Sequence, residues 1–341
     1  MIRAAAFEEQ ARSNEALGSP FTARVLRLLP GLLDPATSLG ARLRDWPGEI
    51  GPSGASVPLR LLGGLHALVL GGDALALAYP PHEPHETALR DALARALADR
   101  EAHLLAWLDG PPQTNEVRRS AGLIAAAHRL AARHGLPLAL SEVGASAGLN
   151  LHFDRYALET PAFRRGPAEP ALTLRPDWDG PPPPEAPFAV AERAGCDIAP
   201  LDPASPDDRL RLLAYLWPDQ PHRRALTEAA IAVATGPRVE RADAVAWLDA
   251  RLAETRPGRL HLVFHTVAWQ YLPPDAQAEG EARLAAAGAA ATPDAPLARL
   301  GMEADGGRGA ALRLTTWPGG RTEALGRVDF HGRWVSWRPG D

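Results

Sequence analysis

The sequence predicts an α/β protein, a doubly wound parallel sheet preceded by an all-helical region. Up to about residue 110 the apolar residues recur at helical spacing. Beyond that, short apolar runs alternate with helical patterns, and the first such run ends in a glycine-rich turn. Strands alternating with helices require right-handed crossovers and a parallel sheet.

Phe21, Val25, Leu28, Leu29 and Leu32 mark an early helix, with Pro20 in the first turn, where a missing N–H costs nothing. Leu59, Leu62, Leu65, Leu68 and Val69 repeat the pattern, and a third helix is expected from about Glu86 to Leu108. Asp109-Gly110-Pro111-Pro112 ends it. Asn115 is a good N-cap for a helix running to His134, with Gly135 past its end. Leu136 to Val143 is apolar on both faces and reads as a buried parallel strand. Residues 160–187, with prolines at 181–184, read as an insertion outside the core. Phe188–Asp197 is the second expected core strand, followed by a helix at 207–234 and a short strand at 238–240. A helix at 244–254, a strand at 260–265 and a helix at 274–287 follow. Strands at 297–303 and 311–317 and a closing hairpin arm at 325–337 complete the reading. The domains expected are a helical cap or substrate region at 1–112 and an α/β domain at 113–341.

Composition narrows the chemistry. Hydrophobic residues at 46% and charged residues at 23% are an ordinary globular balance, enough for a large core. A net charge of −5 leaves no electrostatic footprint for nucleic acid or an anionic membrane, and neither partner is expected. Cys196 is the single cysteine, so an internal disulfide and a multi-cysteine metal site are excluded. All 36 basic residues are arginine, which removes Schiff-base and P-loop lysine chemistry. The first residues lack an apolar stretch of signal-peptide type, and the apolar run at 61–72 falls short of the ~20 residues of a membrane span. A cytoplasmic protein is expected. His82-Glu83-Pro84-His85-Glu86 has metal-site residue types, but Pro84 breaks any helix that would align the histidines, and no metal is expected.

The sharpest signal is Glu142-Val143-Gly144-Ala145-Ser146-Ala147-Gly148-Leu149-Asn150, placed between a buried strand and an expected helix. Glycines after a first strand let a ligand approach the backbone, and a following helix offers free N–H groups. Gly144-Ala145-Ser146-Ala147-Gly148 also satisfies Gly-x-Ser-x-Gly, with Asp305 and His331 downstream in the order α/β-hydrolases use. The region before it reads as helix, however, whereas a hydrolase elbow normally follows several strands.

Glu142, Gly144 and Gly148 resemble motif I of the class I, Rossmann-like S-adenosylmethionine-dependent methyltransferases, with Ser146 where a glycine is commoner. Asp197, in Gly195-Cys196-Asp197-Ile198, resembles the acid that takes the ribose hydroxyls, with Glu192 as a rival. Asp243 resembles the acid that meets the adenine amino group, and the segment 262–273 resembles the fourth strand and the turn after it. Gly144 and Asp197 lie much further apart than the ~20 residues usual between loop and acid, so the resemblance needs the proline-rich stretch to be an insertion.

That resemblance implies S-adenosylmethionine as cofactor and a small-molecule or protein methyl acceptor. It implies cofactor contacts from Glu142, Gly144, Ser146, Gly148, Asn150, Asp197, Asp243 and His265. His265 is the candidate base and Tyr271 a candidate pocket wall; Gln113, Asn115 and Glu116 are candidates to close over the site. Two alternatives stand beside it: an esterase using Ser146, and a nucleotide-binding or interaction protein without catalysis. Gln113-Thr114-Asn115-Glu116, the glycine loop and Trp217-Pro218-Asp219-Gln220 also resemble an uncharacterised bacterial family of unknown function, which implies no activity. Nothing in the sequence sets the oligomeric state.

Overall fold

The computed structural model describes residues 3–52, 54–236 and 238–340. The chain divides into two units, 1–114 with 204–225, and 115–203 with 226–341. The second segment of the first unit is a difference from the expected split: residues 204–225 cluster with the N-terminal helices.

In the helical unit, α1 (Ala4–Ala16), α2 (Pro20–Leu28), α3 (Ser38–Arg44), α4 (Val57–Leu70), α5 (Glu86–Asp99) and α6 (Glu101–Asp109) enclose one apolar core. The single helix expected over 86–108 is two. Arg100 leaves helical geometry at φ −118° and ψ 23°. Tertiary bonds explain the break: Arg100 pairs with Asp73 at 2.8 Å, and Glu101 accepts from the Leu39 amide at 2.8 Å. The helix expected over 207–234 is likewise two, α8 (Pro206–Ala214) and α9 (Pro221–Val233), and the unit boundary falls within the latter. Pro218, between them, cannot continue a helix, and Pro221 occupies the first position of α9, where proline is tolerated. The turn they make is used by the helical unit. Asp219 accepts from the Phe21 amide at 3.0 Å, capping α2, and Gln220 donates to the Gly18 carbonyl at 2.9 Å.

The other unit is α/β with a large, mostly parallel central sheet. It begins with α7 (Ser120–His134), stopped by Gly135 in the left-handed region as expected. β1 (Leu138–Val143) is buried along its whole length. β2 (Tyr156–Glu159), β3 (Arg164–Arg165) and β4 (Leu172–Leu174) form a small separate sheet within the excursion. β5 (Asp177–Asp179) rejoins the main sheet as an edge strand beside the last one, so the proline-rich stretch closes the sheet edge. β6 (Val190–Asp197), β7 (Glu240–Arg241), α10 (Ala244–Ala253), β8 (Leu260–Thr266), α11 (Pro274–Ala289) and β9 (Leu297–Ala304) follow the expected alternation. β10 (Ala310–Trp317), β11 (Arg321–Val328) and β12 (Trp334–Trp337) finish as an antiparallel meander.

The nine-stranded order is β5-β12-β11-β10-β9-β8-β1-β6-β7, and β7, β6, β1, β8 and β9 are all parallel. From β1 the chain moves outward to β6 and β7, then returns to β8 on the other side of β1. The order therefore reverses at β1/β8, and open α/β sheets place ligands outside the carboxyl ends of the strands at such a point. Among the described residues no helix is long and apolar enough to cross a membrane.

Candidate functional site

Successive side chains of a strand point to opposite faces, and the register sorts the candidates. Glu142 lies opposite Gly195 of β6 and Phe264 of β8. Glu142, Asp197 and Thr266 thus share one face at the strand tips. Ser141, Glu192, His261 and His265 belong to the other face.

The glycine loop leaves β1 with Gly144 at φ 70°, Ser146 at φ 53° and Gly148 at φ 73°. A Cβ on Gly144 would sit 2.4 Å from the Ala268 Cβ, so only glycine lets this loop meet the loop after β8. That second loop holds another outlier, Val267 at φ 55°. A β-branched residue in the left-handed region is strained, and strain of this kind collects at ligand sites.

The expected α-helix after the glycine loop is not formed. Residues Leu149–Arg155 make a 3-10 stretch broken at His152, because the chain turns directly into β2. Free helix N–H groups are therefore not what this loop offers. The Gly144 and Ala145 amides donate to the Cys196 carbonyl, Ser146 to Asp197 Oδ2 at 2.9 Å, and Gly148 to the Ala145 carbonyl. The Leu149 amide donates to Asn115 Oδ1 at 2.9 Å. These five donors are directed into the protein, which leaves no run of successive N–H groups for a phosphate.

Asn115 and Glu116 brace this loop, as does Asn150. The Glu116 carbonyl accepts from Asn150 Nδ2 at 3.4 Å, and Ser120 Oγ donates to Asn150 Oδ1 at 2.8 Å. Gln113 belongs to the helical unit. Asp197 uses one lone pair of each oxygen, on the Ser146 and Ala199 amides, and remains half-buried. Glu142 is 1% exposed and its Oε2 has no hydrogen-bond partner. Burial first, then the neighbouring Asp197, pushes its carboxyl well above the ordinary carboxylate range.

The remaining candidates are placed differently. Glu192 is drawn into ion pairs with Arg251, Arg256 and Arg259 on the opposite face, away from the strand tips. Asp243 caps α10, its Oδ1 accepting from the Val245 and Ala246 amides. Tyr271 is 73% exposed. His265 is 1% exposed and both ring nitrogens are engaged, Nδ1 with Glu303 at 2.6 Å and Nε2 with Arg299 at 3.1 Å. Arginine only donates, so Nε2 accepts and Nδ1 carries the proton. Burial lowers the His265 pKa in spite of Glu303, and a neutral, fully bonded imidazole is a support rather than a base. Cys196 is buried, and burial pushes its thiol up to about 12. Asp305, the acid of the hydrolase pattern, is held by Arg327 at 2.6 Å and Arg313 at 3.5 Å.

Sequence reasoning missed two organisers. Glu303, at the end of β9, accepts from the Ala268, Trp269 and Gln270 amides and fixes the loop after β8. A carboxylate at the carboxyl end of a parallel strand was its only signal. Arg119 donates to the Thr266 carbonyl at 2.9 Å and to the Phe330 carbonyl at 2.9 Å. Two arginines at a helix start oppose the helix dipole, which signals that something other than helix stability holds them there. Among the described residues no group of three or more His, Cys, Asp or Glu side chains could hold a metal ion.

The fold and site define an α/β protein with braced loops at a sheet switch point. The chain belongs to the family described as an uncharacterized protein conserved in bacteria (DUF2332), which it matches over residues 4–337. No curated protein and no solved structure matches it.

Proposed function

We propose that the α/β unit is a Rossmann-like domain that binds S-adenosylmethionine at the carboxyl ends of β1, β6 and β8 and transfers its methyl group to a small-molecule or protein acceptor. The observation that carries this reading is the pairing of two unlike acids beside a loop whose Gly144, Ala145, Ser146, Gly148 and Leu149 amides are already bonded within the protein. Such a loop suits a nucleoside ligand lacking phosphates. Asp197 keeps spare lone pairs on both oxygens for vicinal ribose hydroxyls. Glu142, its pKa raised by burial, offers the unpartnered Oε2 to a polar group of the ligand. The order β7-β6-β1-β8-β9 is that of the first five strands of a doubly wound dinucleotide fold, which supports the same placement.

Bound S-adenosylmethionine would supply an electrophilic methyl group on a sulfonium. The protein's task is then to orient the reactants in line and exclude water. Gly144 lets the loops after β1 and β8 approach each other at the strand tips. Asn115, Asn150 and Arg119 hold the loops, and Glu303 with His265 holds the strand-tip turn. With both His265 nitrogens occupied, acceptors that need no base are favoured.

Calorimetric titration with S-adenosylmethionine and S-adenosylhomocysteine tests the proposal. Micromolar binding, weakened at least tenfold by Asp197→Ala, is expected. A folded protein that binds neither overturns it. Labelling of Ser146 by a fluorophosphonate would then favour the esterase reading, for which the positive φ of Ser146 is the supporting observation.

A further inference from the structure

We propose that the helical unit carries a separate site for a small apolar carboxylate, an aryl or short acyl acid, in a cavity of ≈ 950 Å³. This inference does not rest on the function proposed above.

The walls come from Phe21 of α2, Val69 and Leu70 at the end of α4, Pro80, Trp217 and Pro218. Concave, mostly apolar and aromatic surfaces with a few polar groups are the usual make-up of small-molecule sites, and the volume is in their range. Phe21, His66, Leu216, Trp217 and Pro218 also line a neighbouring recess of ≈ 20 Å³, which Tyr79 lines too. Tyr79 is 2% exposed, and its hydroxyl is buried without a hydrogen-bond partner. A buried hydroxyl left unsatisfied costs roughly 1–3 kcal/mol, so its persistence beside a recess points to a partner atom from outside the fold. Burial raises the pKa of this phenol, which keeps it a donor. His66, stacked beside it, is already used: Nδ1 faces the Ala214 carbonyl at 3.1 Å, and burial holds the ring's pKa at about 4.

Charge sets the other end of the ligand. Arg24 and Arg224 line the cavity. Arg24 donates one Nη2 bond to the Pro84 carbonyl at 2.8 Å, which fixes its guanidinium in place. Asp219 lines it too, but its two oxygens face Ser19 Oγ and the Phe21 amide. Glu83 is the other lining carboxylate and is exposed. Two guanidinium groups around an apolar chamber select a carboxylate, which arginine binds through paired N–H bonds. The assigned ligand has its acid at the arginines, an apolar body in the chamber and an acceptor atom toward Tyr79.

The test is calorimetric titration of the full chain with 3-(4-hydroxyphenyl)propanoate and with the corresponding neutral amide. The acid should bind and the amide at least tenfold more weakly. Arg24→Ala should weaken the acid about tenfold and leave the amide unchanged. Tyr79→Phe, which removes only a partnerless oxygen and so keeps the fold, should weaken both severalfold. No binding by the folded chain overturns the site, as does equal affinity for acid and amide. Wild-type affinity in Tyr79→Phe means that the recess holds a water only and overturns the assigned orientation.

Discussion

On one face of the central sheet, Glu192 meets three arginines, and Ser141 Oγ and His261 Nε2 lie 2.9 Å apart within the same polar network. Burial alone would raise the Glu192 pKa, but its hydrogen bonds to Arg251 and Arg256 outweigh burial and hold it below the ordinary range. On the other face, Glu142 is more deeply buried and has no such partner at Oε2, and its pKa moves up instead. The pKa values of two acids on neighbouring strands are thus driven in opposite directions. The difference teaches which of them serves the fold: a satisfied network needs nothing further, whereas an orphaned carboxyl at a strand tip is poised for a partner that the chain does not supply.

The sharpest way to break this comparison is Glu192→Ala. It leaves Arg256, whose side chain is 5% exposed, with only the exposed Glu254 as counter-charge. Removing one partner of a buried pair typically costs ~3 kcal/mol or more, and chemical denaturation should show a loss of about 3 kcal/mol. A loss below about 1 kcal/mol, the range of exposed pairs, would mean that solvent already screens the network.

Glu142→Gln should act in the opposite direction and depend on pH. Above the unfolded carboxyl pKa of ~4.3, the unfolded chain releases a proton that folded Glu142 retains. Wild-type stability then falls as pH rises, until the folded pKa is reached. Glutamine does not titrate, so its advantage over wild type should be larger at pH 7 than at pH 4, growing by up to ~1.4 kcal/mol for each pH unit until the folded pKa is reached. Parallel denaturation curves at the two pH values measure it. A constant difference would show that Glu142 ionises normally.

The smallest effect is expected at Val267→Gly. Relief of the left-handed strain at φ 55° is worth ~1–3 kcal/mol, and the added chain entropy of glycine takes back ~0.5–1 kcal/mol. A net gain of about 0.5 kcal/mol is expected in thermal melts. A loss would show that packing of the valine side chain outweighs the strain.

Much of the fold was legible because it is written in local periods. The buried run ending at Val143, the strand at 260–265 and the alternation that follows were read from apolar runs and spacing. Interrupted helices were harder. Arg100 lies in a run of good helix formers, and only its pairing with Asp73 and the Glu101–Leu39 bond show why the helix stops. The glycine loop was visible, but the 3-10 stretch after it was not, since nothing local to 149–155 forbids an α-helix.

Local pattern in the chain carries the α/β class, the helical first region, the position of the switch-point loop and the acids that follow strands. It could do so because side-chain period and backbone freedom at glycine are local properties. Only the tertiary structure decided which acids are spent. Glu192 faces arginines from α10 and the loop after it, Asp243 turns back onto its own helix, and His265 is enclosed by Glu303 and Arg299. Charge state depends on neighbours brought together from distant parts of the chain and on the water they exclude, and no local pattern encodes either.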